Sequence, residues 1–163
     1  MRSLQLVVEP HASDHLTQVV RDGLAFYNVA VTGLEDYHPL AIFLKDAHGE
    51  IWGGVLGHLW GQWLHITILW LAEPVRGEGY GRQLLEAAET YARERGCHHV
   101  KLETFSFQAR SFYEQLGYEV FATLEDCPVG HREYFLRKSL GESPESSGGR
   151  GSARPPRPGS DIR

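Results

Sequence analysis

Apolar residues recur along this chain with two different periods. Leu4–Val8 is a short apolar run of strand length. From Asp14 the period lengthens. Leu16, Val19, Val20, Leu24 and Tyr27 return at the spacing of one helix face, with Asp14 as the expected cap and Gly33 as the stop. A polar and aromatic loop follows, Glu35-Asp36-Tyr37-His38. Leu40–Lys45 and Ile51–Trp60 then read as strands joined by a turn at Asp46–Gly49. Gly61-Gln62 turns the chain into a long strand, Trp63–Ala72. Three successive strands with short connections predict an antiparallel meander.

Pro74 to Gly81 interrupts the pattern. Arg82–Arg95 is helical, with Leu84, Leu85, Ala88, Tyr91 and Ala92 on one side, charges on the other and Gly96 as the stop. Val100–Phe105 is a strand. Ser106 is the expected N-cap of a short helix carrying Ala109, Phe112, Tyr113 and Leu116, which Gly117 ends. Tyr118–Leu124 and Arg132–Lys138 close the series around a Pro128-Val129-Gly130 turn. The predicted order is β-α-βββ-α-β-α-ββ, a mixed α/β fold with one central sheet. Trp63 to Phe105 should form a right-handed parallel crossover. After Leu140 the composition turns to Gly, Ser, Pro and Arg, which bury too little surface to offset chain entropy. A folded domain over residues 1–140 and a disordered tail over 141–163 are therefore expected; Arg150, Arg154 and Arg157 leave open a weak site for an anionic partner.

Composition acts mainly by exclusion. The chain is 42% hydrophobic and 23% charged, the balance of a soluble domain. No apolar run reaches the roughly 18 residues of a membrane span, and the apolar stretch near the start is too short for a secretory signal; a cytoplasmic protein is expected. A formal charge of -5 weighs against a nucleic-acid partner. Cys97 and Cys127 have no metal spacing and read as reduced thiols. His98-His99 lacks a third ligand in register, so no metal is expected. Most of Trp52, Trp60, Trp63 and Trp70 should be core, although Trp60 and Trp63 flank a hairpin tip and suit a homodimer contact.

The most informative stretch lies between a strand and a helix: Val75-Arg76-Gly77-Glu78-Gly79-Tyr80-Gly81-Arg82. Glycines leave backbone N–H groups uncovered, and a helix start adds more, together with the positive end of its dipole. The combination is a cradle for phosphate or pyrophosphate. No Lys-Ser/Thr opens the helix, as a P-loop would require. A Gly-x-Gly-x-x-Gly fingerprint fails at Arg82 or at Leu84.

Arg76-Gly77-Glu78-Gly79-Tyr80-Gly81 resembles the Arg/Gln-x-x-Gly-x-Gly/Ala loop of the GNAT superfamily of N-acetyltransferases. Ser106-Phe107-Gln108-Ala109-Arg110-Ser111-Phe112-Tyr113-Glu114-Gln115-Leu116-Gly117-Tyr118 is similar to that family's Asn-x-x-Ala-x-x-Leu-Tyr-x-x-x-Gly-Phe segment, with Ser106 in place of Asn. The order of elements is similar too, and the resemblance covers about residues 4–140. Leu-Glu-Thr-Phe-Ser-Phe-Gln-Ala with Pro-Val-Gly-His resembles a bacterial branch. The resemblance implies acetyl-CoA as cosubstrate, with Arg76, Gly77, Glu78, Gly79, Tyr80, Gly81 and Arg82 at its pyrophosphate. It also implies backbone groups near Leu69 and Leu71 at the pantetheine arm and a contact from Ser106.

Acetyl transfer to an amine needs a deprotonated amine, a donor at the thioester oxygen and a proton for the departing thiolate. Tyr113, at the matching motif position, is the expected general acid; the alternative is an apolar ring beside Phe112 and Leu116. His65 resembles the place where some family members carry a catalytic glutamate; its alternative is alternation with Ile66 and Ile68 on a half-buried strand. Glu103, between Leu102 and Thr104, faces either a substrate ammonium or a structural arginine. Glu73 is expected on the rim. The leading expectation is acetylation of a small amine, with Phe26 to Pro39 walling the acceptor pocket through Tyr27, Glu35, Asp36 and Tyr37. Acetylation of a protein lysine or N-terminus, and a non-catalytic acyl-CoA-binding module, remain as alternatives.

Overall fold

A computed structural model of the chain describes residues 3–141. The expected tail beyond Gly141 lies outside these residues. Helix α1 spans Asp14–Thr32. Its cap is Ser13, whose hydroxyl accepts from Leu16 N–H at 3.4 Å, so Asp14 is the first helical residue rather than the cap. Gly33 ends the helix in the left-handed conformation (φ 69°), donating its N–H to Val29 O at 2.8 Å. The meander follows as β1 (His38–Lys45), β2 (Ile51–Trp60) and β3 (Trp63–Leu71). Helix α2 (Tyr80–Glu94) leads to β4 (His99–Phe105), α3 (Arg110–Gln115), β5 (Glu119–Glu125) and β6 (Arg132–Ser139).

The six strands form one sheet in the order β1-β2-β3-β4-β6-β5. β3 and β4 run parallel, and every other neighbouring pair is antiparallel. The expected first strand is absent. Among the described residues Leu4–Val8 pairs with nothing, and Leu4, Leu6, Val7 and Val8 are exposed. A strand is held by a ladder and a buried face, and this segment has neither within its own chain.

Helix α2 seals one face of the sheet. Leu84, Leu85, Ala88 and Ala92 are buried with Val55, Leu64, Val100, Leu102 and Leu136. The apolar side of α2 also carries a carboxylate that the sequence pattern assigns to the solvent side. Glu89 is only 3% exposed. It accepts from Tyr118 Oη at 2.9 Å, Lys138 Nζ at 2.8 Å and Arg93 Nη2 at 3.1 Å, so its buried charge is both paired and hydrogen-bonded.

The other face of the sheet is open. Cross-strand register puts His58, His65, Lys101, Arg137 and Glu119 in one row there, one residue along from the core row of Leu59, Leu64 and Val100. Helix α1 buries none of its residues. Nor are the tryptophans core. Trp60 and Trp70 are exposed, while Trp52 and Trp63 are half-buried because they lie on the open face or at strand ends. Trp63 stacks on His99 at 4.6 Å, and Trp52 donates to Asp46 Oδ2 at 3.2 Å.

One irregularity decides the geometry of the centre. Gly57 pairs with Ile66 and Leu56 with Ile68, which leaves Thr67 as an extra residue in β3. Its hydroxyl donates to Leu56 O at 3.1 Å. Before this bulge the covered face takes Leu64 and Ile66; after it, Leu69 and Leu71 pack against the core instead.

Candidate active site

The bulge turns β3 away from β4. The two strands pair from Trp63↔His99 only as far as Ile66↔Leu102. Beyond that, β3 stays with β2 up to Gly53↔Leu71, and β4 stays with β6 up to Phe105↔Glu133. A wedge opens between them, and on that side the backbone groups of the last residues of β3 have no partner strand.

The glycine turn sits at the mouth of the wedge. Pro74 lies in a short 3-10 turn, Glu73–Val75, where Glu73 is exposed as expected for a rim residue. Arg76 Nε donates to Leu71 O at 3.0 Å, tying the loop to the end of β3. Gly79 is the N-cap of α2 with φ 85°, a conformation that favours glycine, and no side chain caps the helix. The first N–H groups of α2 are therefore available to an anion. A cavity of about 500 Å³ lies against them, lined by Leu69, Leu71, Arg76, Gly77, Gly79, Gly81, Arg82, Phe112, Tyr113 and Leu116 among others.

Three residues expected at the cofactor do not line this cavity. Glu78 is exposed and Tyr80 half-buried, both outside the lining, because alternate loop residues turn away from it. Ser106 neither caps α3, which begins at Arg110 after Ala109, nor reaches the wedge. Its hydroxyl instead accepts from Arg132 N–H at 3.2 Å and meets His131 Nδ1 at 3.3 Å.

A second cavity of about 510 Å³ occupies the wedge, lined by residues 67–71, Arg76, Glu103, Thr104, Gln108, Ala109 and Tyr113. Tyr113, Leu69, Leu71, Arg76 and Ala109 border both cavities. Tyr113 is 8% exposed. Burial raises its pKa, so the phenol stays protonated near neutrality. The sequence pattern passed over Gln108, whose Oε1 accepts from Thr104 Oγ1 and Phe105 N–H, both at 3.1 Å, and fixes the start of the α3 turn. Its place inside the quoted motif was the available signal.

His65 and Glu103 meet across β3 and β4. His65 Nε2 lies 3.5 Å from Glu103 Oε1, a long electrostatic contact, and makes no closer polar contact. Burial lowers the His65 pKa, and Lys101 lowers it further, against the opposing pull of Glu103. The imidazole is thus mostly neutral at pH 7. His58 and His65 meet edge to face with ring centroids 5.0 Å apart, and Tyr37 stacks on His58 with centroids also 5.0 Å apart. Tyr37 is the residue of the expected acceptor wall that reaches this side. Tyr27 is exposed on α1, and Asp36 borders a separate cavity at the β2–β3 hairpin tip with Leu34 and His38. The wall fails because α1 stands off the sheet. Lys101 was also missed; alternation along β4 puts it on the open face beside His65.

Residues 8–118 match the acetyltransferase (GNAT) family. The chain belongs to that family. It is an N-acetyltransferase, and GNAT enzymes use acetyl-CoA. It is 39% identical over 113 residues to a blasticidin-S acetyltransferase of Streptomyces morookaense, a match covering 67% of this chain and 83% of that one. A crystal structure from Agrobacterium tumefaciens, assigned to the acetyltransferases, aligns with a TM-score of 0.79 at 30% identity, over 83% of this chain and 99% of that one. A Bacillus anthracis structure assigned as a streptothricin acetyltransferase and solved with acetyl coenzyme A shares the fold at TM-score 0.56 and 18% identity, over 63% of this chain and 62% of that one. Among the described residues of this acetyltransferase, no helix is long and apolar enough to cross a membrane.

Proposed function

We propose that this acetyltransferase moves the acetyl group of acetyl-CoA directly to the primary amine of a small molecule. The observation that carries the reading is the wall shared by the two cavities. Tyr113 and the end of β3 border the glycine-turn cavity on one side and the Glu103 cavity on the other. Two substrates entering from opposite sides would meet there. The small-molecule half of the proposal draws on the Streptomyces relative, whose name is that of a blasticidin-S acetyltransferase.

The residues at the glycine turn suit acetyl-CoA. Free N–H groups at the head of α2, with Arg76 and Arg82 beside them, match a pyrophosphate, and Leu69, Leu71 and Phe112 offer an apolar path for the pantetheine arm. Bound there, acetyl-CoA supplies the acetyl group as a thioester. Neutral His65, steadied by Glu103, takes the proton of the amine through water. An unpaired N–H near Leu69 donates to the carbonyl oxygen as negative charge develops. The C–N bond forms as the C–S bond breaks, and Tyr113 Oη delivers a proton to the departing sulfur.

A panel of free amines and short peptides, with released CoA as the readout, tests this. Turnover with small primary amines is expected. Turnover only with peptides would move the substrate to proteins. Acetyl-CoA binding without turnover on any acceptor would leave a regulatory module.

A further inference from the structure

One positive charge on the open sheet face has no counter-ion among the described residues. The row across the strands runs His58, His65, Lys101, Arg137 and Glu119, each paired in register with the next. Arg137 Nε donates to Glu119 Oε1 at 2.8 Å, and its guanidinium lies 5.5 Å from the centre of the Phe121 ring. Its charge is therefore answered. Lys101 is half-buried, and among the described residues it has neither an ion pair nor a hydrogen bond. Burial, with Lys101 adding in both cases, lowers the pKa of His65 and of His58. Both imidazoles thus stay mostly neutral, and the lysine is the unanswered cation of the row. Withdrawing an ammonium even partly from water without an anion beside it is unfavourable.

Lys101 borders a hollow of about 370 Å³ whose apolar walls are Trp60, Trp63 and Phe121. His65 borders the hollow as well. Glu103, whose Oε1 is 3.5 Å from His65 Nε2, borders the wedge cavity where Tyr113 stands. Hollow and wedge therefore meet at the His65–Glu103 pair. Lys101 and Glu103 are two residues apart on β4 and share one face, so their Cα atoms lie about 7 Å apart. We propose that the acceptor amine carries a carboxylate, set several bonds away on a planar apolar body, and that Lys101 holds it. The inference rests on the direct-transfer reading for the amine end. The amine faces Glu103 and His65 at the wedge, the body lies against Trp63 and Phe121, and the carboxylate accepts from Lys101 Nζ. The spacing is too long for an α-amino acid, whose two charged groups share one carbon.

The full chain with para-aminomethylbenzoate, and with para-aminomethylbenzamide as its uncharged match, tests this. Binding is followed by NMR titration without acetyl-CoA, and turnover by released CoA. The acid should bind about tenfold or more tighter than the amide, the effect of one hydrogen bond between charged groups. Its kcat/KM should exceed the amide's by a similar factor, through KM. In Lys101→Met the two ligands should bind alike, while Lys101→Arg should keep the preference. Comparing both ligands on one variant cancels any change that the substitution makes at His65. Equal binding of acid and amide by the unmodified protein would overturn the inference. So would the absence of saturable binding by the acid, or a preference that survives Lys101→Met. Preferential binding of the acid with no turnover of either ligand would support the carboxylate site and sink the direct-transfer reading. Equal affinity and equal turnover of the two would sink the carboxylate site and leave direct transfer standing.

Discussion

Under α2, the side chains of Val55, Leu64, Val100 and Leu136 are sealed from water, and the carboxylate of Glu89 is held by three donors. Across the same strands, one residue along, His58, His65, Lys101 and Arg137 stand in a row on an uncovered surface. Neighbouring positions of one strand therefore have different surroundings: even-numbered Leu64 is sealed in the core, and odd-numbered His65 stands on the open face. A change on the covered face should act on folding, and a change at the wedge or the open face should act on rate.

The strongest way to break this contrast is Glu89→Ala. It leaves the buried Tyr118 hydroxyl and the half-buried Lys138 ammonium without their acceptor and should cost about 3 kcal/mol in denaturant unfolding, with the rate per folded molecule preserved. His65→Ala should change stability by about 0.5 kcal/mol or less. Equal stability losses for the two would erase the distinction. Next comes Tyr113→Phe, which keeps the buried ring and removes its proton. A fall of about 10²-fold in kcat is expected, with CoA affinity nearly intact; a wild-type rate where chemistry limits would leave Tyr113 as packing.

Gly79→Asp probes the turn itself. A Cβ there meets nothing within 4 Å, and Asp tolerates the left-handed conformation better than most residues. Folding should lose about 1–2 kcal/mol from the left-handed strain. CoA affinity should drop about tenfold or more, as the carboxylate faces the pyrophosphate, measured by calorimetry. The smallest effect concerns pH. The rate should fall as pH drops through the His65 pKa, which burial and Lys101 hold below its ordinary value of 6.5. His58, Lys101 and Glu103 are the titratable groups around it. Removing the Lys101 charge with Lys101→Met should raise that pKa and move the acid limb upward by less than about one pH unit. A stationary limb would assign proton removal to Glu103 or to bulk water.

Local signals were legible wherever local physics decides. Ile51–Trp60 has the same ends by alternation and by ladder, and Gly33 stops α1 as its position suggests. The glycine turn falls between a strand and a helix, as the pattern predicts. What stayed hidden depended on distant partners. Leu4–Val8 has strand character but pairs with no edge among the described residues. Glu89 sits at a buried helical position that becomes tolerable only because Lys138, 49 residues away, arrives to pair with it. Ser106 resembles a cap, but Arg132 and His131 on the far side of a hairpin claim its hydroxyl. The Thr67 bulge is invisible in a strand whose residues are apolar on both sides of it.

That bulge carries an evolutionary consequence. A point substitution at Thr67 leaves the chain its odd residue and can be absorbed. Deleting the residue instead removes the bulge and leaves the faces as they are: Gly57 already pairs with Ile66, Leu56 with Ile68 and Val55 with Leu69, so the shortened strand would alternate regularly with Leu69 and Leu71 still on the covered face. The wedge would then zip shut as β3 regained its register with β4. The opening between β3 and β4 can thus tolerate substitution at this position, but loss of that single codon would remove the kink that holds it apart.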